Sequence, residues 1–538
     1  MTPQTRGAAV LLLLQKLFFW YTLSRSLLRA YRHLRATGLL PTLRSLYNST
    51  LARLFQVYLK ISPSTRQKVA SEIAKARLDM QIKVAPEHAG EIDKITTLPE
   101  KPRDLKWIEE ELGRREALGD DWRQGKLSGA VYLGQPDEHP VNEAMRMAVE
   151  KFMLSNPLHP DVFQGVRRMD AELVKMVLHM FNAPPSGCGT TTSGGTESIL
   201  LACLAYRNWA GETKGITEPE LVIPSSAHAA FEKAAAYFSI TLRSIPVDPN
   251  TRQADLTATR RAINSNTIAL VGSAPNFPDG IIDDIPALAK MARQYKIGLH
   301  VDCCLGSFLV PFMKQAGFEI DPFDFSVPGV TSISCDPHKY GFTCKGISTV
   351  LYANPELRRH QFFVSTTWSG GVYASPTFAG SRPGSLIAGA WATLVSMGQE
   401  GYVKSCKGIV CAARSLIQQL GEEVPELRIL GDPKVSVVAF TSDVVNILEV
   451  GDRLSKKGWH LNALQHPPAL HICVTRLTVP HIEDLVADIK AAVRDVLLNP
   501  ESTKGTMTTI YGLGSTAVVG PGLVSQMASI FTETLYHV

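Results

Sequence analysis

The sharpest chemical signal in the chain is Ser334-Cys335-Asp336-Pro337-His338-Lys339-Tyr340-Gly341, where a strand pattern ends in a polar turn presenting His and Lys side by side. A lysine so placed can form a Schiff base with an aldehyde cofactor, and pyridoxal phosphate is the common case. The pair alone says little, because most lysines are simply solvated. Upstream, Gly298-Leu299-His300-Val301-Asp302 is a β-run ending in an acid. His300 and Asp302 are two apart and so share a strand face. Pyridoxal phosphate needs a carboxylate beside its ring nitrogen, because the protonated ring is the electron sink. An acid at a strand end is otherwise about as often a turn or helix cap.

Thr192-Ser193-Gly194-Gly195-Thr196-Glu197-Ser198 precedes an apolar helical run over 199–209. Small residues at a helix start let backbone N–H groups approach a phosphate, and the helix dipole favours the anion. Without the lysine, a capped helix with a flexible entry would be the simpler account. Between these segments Ser225-Ser226-Ala227-His228 follows a strand pattern, and its imidazole could stack on a flat ring. Glycine-bearing loop, stacking His, strand-end Asp and Schiff-base Lys fall in the order expected for one cofactor site.

These residues need a scaffold, and the pattern around them supplies one. Strands are expected over 221–224, 267–273, 298–303, 331–334 and 347–352, with helices over 231–238, 257–263 and 285–295. Strand and helix in turn indicate an α/β domain with a mostly parallel sheet. After about residue 390 a long helix comes first, then strands near 435–441 and 470–474 and a helix over 481–498, a smaller α+β domain. The expected division is a membrane anchor and juxtamembrane helix over 1–60, an N-terminal arm over 61–130, a large cofactor-binding domain over 131–390 and a small C-terminal domain over 391–538.

The chain has 538 residues, 45% hydrophobic and 20% charged, the composition of a packed globular protein. Its net charge of +5 forms no compact basic stripe in the body, so nucleic acid is not an expected partner. Nine cysteines without C-x-x-C pairs or His/Cys zinc spacing argue for free thiols in a reducing compartment, and no metal site is expected. Residues 8–23, AAVLLLLQKLFFWYTL, are followed by Arg25, Arg29, Arg32 and Arg35. The arrangement predicts a single anchor, with everything after Leu23 in the cytoplasm. Lys16 opposes this, since a charge at bilayer depth costs about 2.5–3.5 kcal/mol. A helical stripe through Leu40, Leu43, Tyr47, Leu51, Leu54, Tyr58 and Ile61 suits either a membrane surface or ordinary packing. The Asn48-Ser49-Thr50 sequon would face the cytoplasm and stay unused.

The order and wording of these motifs resemble the fold-type I pyridoxal-phosphate enzymes of the group II decarboxylase superfamily, and within it the sphingosine-1-phosphate lyase family. The resemblance is carried by Ser128-Gly-Ala-Val-Tyr132, Asn156-Pro-Leu-His159-Pro-Asp161, 192–198, His228-Ala-Ala-Phe231, His300-Val-Asp302, His338-Lys339-Tyr-Gly and Lys345-Gly346. Trp368-Ser-Gly-Gly371-Val-Tyr373-Ala-Ser-Pro-Thr377 and Gly380-Ser-Arg382-Pro-Gly384 complete it, and it extends from about residue 100 to the tail around Tyr511-Gly512. The family usually has Thr where this chain has Pro337, and Pro where it has Cys344. Pro337 removes a backbone donor and any hydroxyl beside the lysine, which bears on rate more than on reaction.

The resemblance implies a fold like that of aspartate aminotransferase, with pyridoxal 5'-phosphate as cofactor and a sphingoid base 1-phosphate as substrate. The implied reaction is retro-aldol cleavage to a long-chain aldehyde and phosphoethanolamine. Lys339 would hold the cofactor, with Ser193, Gly194, Gly195, Thr196 and His338 around it, Asp302 at the ring nitrogen and His228 stacked. Tyr132, His159 and Lys345 would stand on the substrate side, as phosphate ligands or proton carriers. The loop around Gly371 and Tyr373 resembles one that reaches into a partner's site, implying a homodimer with shared active sites; Arg382 is a weaker candidate. The implied location is the endoplasmic reticulum membrane. Two competing readings remain at this point: an amino-acid decarboxylase of the same superfamily, and a catalytically silent membrane-tethered relative.

Overall fold

The computed structural model describes residues 3–65, 95–119, 121–134, 140–499 and 520–536, with scattered positions between 66 and 94. The tail around Tyr511-Gly512 lies outside the described residues. The chain divides into two units, Met1–Leu43 with Tyr132–Arg414 and Leu430–Val438, and Arg44–Val131 with Ser415–Ile429 and Ala439–Val538.

In the first unit, seven strands form one mixed sheet. They are β1 (Cys188–Thr192), β2 (Glu220–Pro224), β3 (Thr241–Ile245), β4 (Thr267–Ser273), β5 (Gly298–Asp302), β6 (Ser332–Cys335) and β7 (Ser348–Tyr352). Their order is β1-β7-β6-β5-β4-β2-β3. β7 runs antiparallel to both β1 and β6, while β6, β5, β4, β2 and β3 pair in parallel. Six strands therefore point one way, and their carboxyl ends open on one edge of the sheet. Strands β2, β4, β5, β6 and β7 are buried along their whole length, which is why they read as near-continuous apolar or small-residue runs.

β1 and β3 escape that signal. β1 is Cys-Gly-Thr-Thr-Thr, with no large apolar residue, and β3 is a half-exposed edge strand. The helix Gly195–Lys214 packs on β6 and β7 and on the neighbouring helix Ala230–Phe238, burying Ile199, Leu201, Cys203 and Tyr206 against Phe231 and Ile268. Tyr206 lies so close to β5 that a Cβ on Gly298 would sit 2.2 Å from its ring, so position 298 admits glycine alone. The helix Gly384–Glu423 turns at Gly398, whose φ of +56° suits glycine.

The second unit carries a four-stranded sheet in the order β10-β11-β13-β12, from β10 (Arg428–Ile429), β11 (Val437–Thr441), β12 (Asn462–Leu464) and β13 (Ala469–Cys473). The helices Ile447–Lys456 and Ile482–Leu498 accompany it. Trp459, fully buried, donates its indole N–H to Asp488 at 2.9 Å. A small hairpin in the first unit pairs β8 (Phe363–Ser365) with β9 (Tyr373–Ser375).

The expected spanning anchor is not found. Residues 3–37 form one long helix, α1 (Pro3–Thr37), but among the described residues no helix is long and apolar enough to cross a membrane. The physical reason is already in the segment: Gln15 and Lys16 interrupt the apolar run and Arg25 closes it. Beyond it, Arg25 and Arg29 pair with Glu218 and Arg32 reaches Ser265, so this end of α1 is tied to the first unit by polar contacts. The expected helix over 39–61 does form, α2 (Leu39–Ile61), and Leu40, Tyr47, Leu54 and Ile61 of its stripe are exposed.

Candidate active site

Four of the expected segments emerge from carboxyl ends of the parallel strands, where open α/β sheets bind ligands. The 192–194 turn follows β1, His228 follows β2, Asp302 ends β5 and Lys339 lies in the turn after β6. That turn is held by Lys339 N–H donating to Asp336 O (3.0 Å) and Phe342 N–H donating to Lys339 O (3.0 Å). Ser307 Oγ donates to Asp336 O (2.7 Å) and Ser348 Oγ to Cys335 O (3.0 Å), anchoring the start of the turn.

Lys339 Nζ lies 2.9 Å from Oδ2 of Asp336, which is buried. Burial pulls the lysine pKa down, but the Asp336 charge and hydrogen bond together with Cys304 and Tyr132 outweigh it, and Lys339 is raised well above the ordinary lysine range. Burial acts on Asp336 in the opposite sense, raising it, and the attraction of Lys339 with hydrogen bonding from His338 more than reverses this, leaving Asp336 ionised well below the usual carboxylate range. His338 Nε2 stands 3.5 Å from the same Oδ2. Asp336 Oδ1 and His338 Nδ1 are buried and have no hydrogen-bond partner among the described residues. Asp336 is a residue that motif reasoning passed over, although it stands in the quoted octapeptide; only the turn geometry turns it back onto Lys339.

The glycine turn closes on this pair. A Cβ on Gly195 would come within 2.7 Å of Asp336 Oδ2 and 2.8 Å of Cys304 Sγ, and one on Gly194 would meet His338 Cε1 at 3.6 Å. Gly194 caps the helix Gly195–Lys214 without any side-chain hydrogen bond, so the start of a 20-residue helix is left without a side-chain cap beside the lysine turn. Ser193 is not free, since its N–H and Oγ both donate to Glu197 Oε2 at 2.7 Å. Thr196 is exposed on the first helical turn. Asp302 is buried, and its Oδ1 accepts from Cys304 N–H (3.1 Å) and Ser334 Oγ (3.0 Å). No donor among the described residues occupies its Oδ2.

Tyr132 and Lys345 join the cluster. Lys345 Nζ sits 4.6 Å above the Tyr132 ring and donates to His338 O at 3.3 Å. Tyr132 packs edge-on against Tyr340, with centroids 4.8 Å apart, and lies close enough to Lys339 to influence its charge. His228 is exposed after β2, its Nδ1 accepting from Ala230 N–H (3.1 Å) and its ring edge-on to Phe277.

The remaining expected residues are not drawn in. No hydrogen bond, ion pair or ring contact among the described residues joins His159, Gly371 or Tyr373 to Lys339. His159 is exposed in a turn that Asn156 ties to Ser381 and to the N–H of Arg382. Arg382 holds Asp170 (2.9 Å) and Thr191 (2.7 Å). Gly371 and Tyr373 belong to the exposed β8–β9 hairpin, Gly371 with a φ of +102°. Cys344 packs against Gly389, 3.5 Å from the position of a Cβ there.

This donor set fits pyridoxal phosphate. A charged lysine, a carboxylate with one oxygen open, an orphaned His338 nitrogen and a glycine turn at an uncapped helix start stand together in one unit. Residues 145–443 match the family model described as the pyridoxal-dependent decarboxylase conserved domain. The chain is similar to a sphingosine-1-phosphate lyase of Saccharomyces cerevisiae, 47% identical over 91% of this chain and 83% of that one. It is also similar to the solved sphingosine-1-phosphate lyase of Burkholderia pseudomallei, 40% identical with a TM-score of 0.72, over 76% of this chain and 94% of that one. A glutamate decarboxylase of Lactobacillus brevis, 21% identical with a TM-score of 0.64 over 76% of this chain and 96% of its own, shares the fold alone.

Proposed function

The chain belongs to the sphingosine-1-phosphate lyase family, and we propose that it cleaves sphingoid base 1-phosphates into a long-chain aldehyde and phosphoethanolamine with pyridoxal phosphate as cofactor. The observation that carries the reading is the Lys339–Asp336 pair packed under Gly195 with Asp302 beside it. When bound, the cofactor supplies the electron sink for the pair released as the carbon–carbon bond breaks.

The chain's own residues do the rest. Lys339 would hold the cofactor, and Asp336 Oδ2, 2.9 Å from Nζ, clamps the charge of the free lysine. Asp302 would hold the ring nitrogen through its open Oδ2 and keep a proton there. The N–H groups from Gly195 onward, with the helix dipole behind them, receive the phosphate. His228 would stack on the ring face. Tyr132 and Lys345 stand on the substrate side. Lys345 counters the substrate phosphate charge, and Tyr132, whose ring it covers, is placed to remove the proton from the substrate hydroxyl. That proton's departure turns the hydroxyl carbon into the aldehyde. The carbon left behind takes up a proton before phosphoethanolamine departs.

Exposed Phe363, Val364, Trp368 and Val372 on the β8–β9 hairpin support a homodimer in which Gly371 and Tyr373 serve the partner's site, and His159 belongs to the same shared site. A membrane location at the endoplasmic reticulum, with the body in the cytoplasm, is supported by Leu11, Leu12, Phe18, Phe19 and Trp20, each more than half exposed on α1. Surface attachment there suits a lipid substrate, since each buried CH₂ adds about 0.8 kcal/mol to membrane partitioning. The test is mass spectrometry of products after incubating the loaded protein with a sphingoid base 1-phosphate. Aldehyde with phosphoethanolamine, absent for Lys339→Ala, supports the reading. Loaded protein that yields neither product defeats it.

A further inference from the structure

Asp302 is the last member of a buried hydrogen-bonded chain whose polarity can be worked out link by link. β5 and β6 pair in parallel with His300 opposite Ser332 and Asp302 opposite Ser334. Period-two alternation on both strands thus sets two serines beside a histidine and an aspartate on one face. Ser334 Oγ donates to Asp302 Oδ1 at 3.0 Å, and this uses its only proton. Its 3.2 Å contact with His300 Nε2 is then Nε2–H donating to Ser334.

His300 is buried, and burial pushes its pKa down to about 4 despite the Asp302 charge, so its ring is neutral and Nδ1 is an acceptor. Ser332 Oγ, 2.7 Å from Nδ1, must donate to it. Tyr206 OH lies 2.6 Å from both Ser332 Oγ and Thr331 Oγ1, and the Thr331 hydroxyl donates to Leu299 O at 3.0 Å. The Ser332, His300 and Ser334 links are thus all oriented toward one carboxylate oxygen. Gly298 is what lets Tyr206 reach the chain.

Resting on the cofactor reading above, we propose that His300 is a positioning residue acting through Ser334: it orients the Ser334 hydroxyl onto Asp302 Oδ1, so that Oδ2 alone faces the cofactor ring nitrogen and holds its proton. A hydroxyl free to rotate would leave the carboxylate free to turn and to share its charge between both oxygens. A hydrogen bond to a charged group contributes about 1.5–3 kcal/mol, so without Ser334 the preference for the orientation that puts Oδ2 on the ring nitrogen falls by about tenfold or more.

The experiment uses the full chain loaded with pyridoxal phosphate labelled with ¹⁵N at the ring nitrogen, whose resonance separates protonated from unprotonated ring. In wild type the nitrogen should stay protonated from pH 6 to 9. In Ser334→Ala its deprotonation midpoint should fall by about one unit or more into that range, with kcat reduced and KM little changed. Ser334→Thr, which keeps a hydroxyl, should restore the wild-type resonance. His300→Gln, which keeps a donor, should lie between wild type and Ser334→Ala. A wild-type titration in Ser334→Ala overturns the proposal. So does a shifted titration that Ser334→Thr fails to rescue. If wild type itself takes up no cofactor, or Lys339→Ala takes it up equally, the cofactor reading falls, a result distinct from any of these.

Discussion

The Lys339–Asp336 pair makes a prediction with a calculable size. Two unit charges 2.9 Å apart attract by about 6 kcal/mol at an effective dielectric of 20. Lys339 is partly open, its side chain 23% exposed, so about half of that is a fairer figure once water screens the pair. About 3 kcal/mol corresponds to about two pKa units at Nζ. Asp336→Asn keeps the shape and removes the charge. Burial then acts on the lysine unopposed by Asp336 and lowers its pKa.

Capture of pyridoxal phosphate by the empty enzyme needs the uncharged amine. The rate below the lysine pKa therefore changes tenfold per unit. The assay is the capture rate, followed by absorbance, from pH 6 to 10. The Asn variant should show its profile displaced about two units toward acid, and at pH 8 it should capture the cofactor about 100-fold faster than wild type. A profile that does not move would refute the electrostatic account. Slower capture at every pH would mean that Asp336 matters as the proton acceptor and not as a charge clamp.

Three further expectations follow from single distances. Gly195→Ala should raise the cofactor dissociation constant at least tenfold, because its methyl would meet Asp336 and Cys304 below 3 Å, whereas Gly194→Ala, with its nearest neighbour at 3.6 Å, should bind within about threefold of wild type by fluorescence titration. Pro337→Thr should change turnover by no more than about twofold, since the turn closes through Asp336, Pro337 and Lys339 carbonyls and the Lys339–Asp336 pair, none of which uses the nitrogen of residue 337. His300, lowered to about 4 by burial, favours the folded state above pH 6.5 and loses that contribution as pH falls toward 4. Between pH 7.5 and 5 the loss is about 2 kcal/mol, so the stability gap between wild type and His300→Gln should narrow by that amount in urea unfolding. Asp283, raised by burial to about 6, titrates in the opposite sense over much of this range in both proteins and cancels in the difference.

Much of this site was legible before folding because it depends on periodicity and strand ends. His300 and Asp302 share a face as alternation requires, and the expected strand over 267–273 matches β4 residue for residue. β1 was invisible because three threonines, a glycine and a cysteine carry no apolar pattern; it gains its place by pairing with β7. Asp336 was overlooked for a different reason. Adjacent to a proline in a polar turn it looks like a turn former, and nothing in spacing says that its carboxylate folds back onto Nζ three residues later. His159, Gly371 and Tyr373 make no contact with Lys339 among the described residues, and their expected roles rest on the motif resemblance alone. The apolar run over 8–23 suggests an anchor by hydropathy with Lys16 set against it, and the arginines beyond it have partners in Glu218 and Ser265.

Two buried aspartates end neighbouring parallel strands, and their surroundings divide the labour between them. Asp336 follows β6 and faces a lysine ammonium, so its charge is held by a group that must later shed a proton. Asp302 ends β5, and its Oδ1 is satisfied by a backbone N–H and a serine hydroxyl, neither of which titrates. The first carboxylate is therefore suited to setting the charge of the free lysine, which would form and lose its bond to the cofactor. The second suits a charge that must stay fixed while electrons move into the ring. Exchanging these surroundings would spoil both tasks: a labile proton beside Asp302 would compete for the ring nitrogen, and a carboxylate saturated by fixed donors would have no lone pair to offer Lys339. The side-by-side register of β5 and β6 sets both environments within one sheet edge, and it explains why a buried, neutral histidine stands behind Asp302 and not behind Asp336.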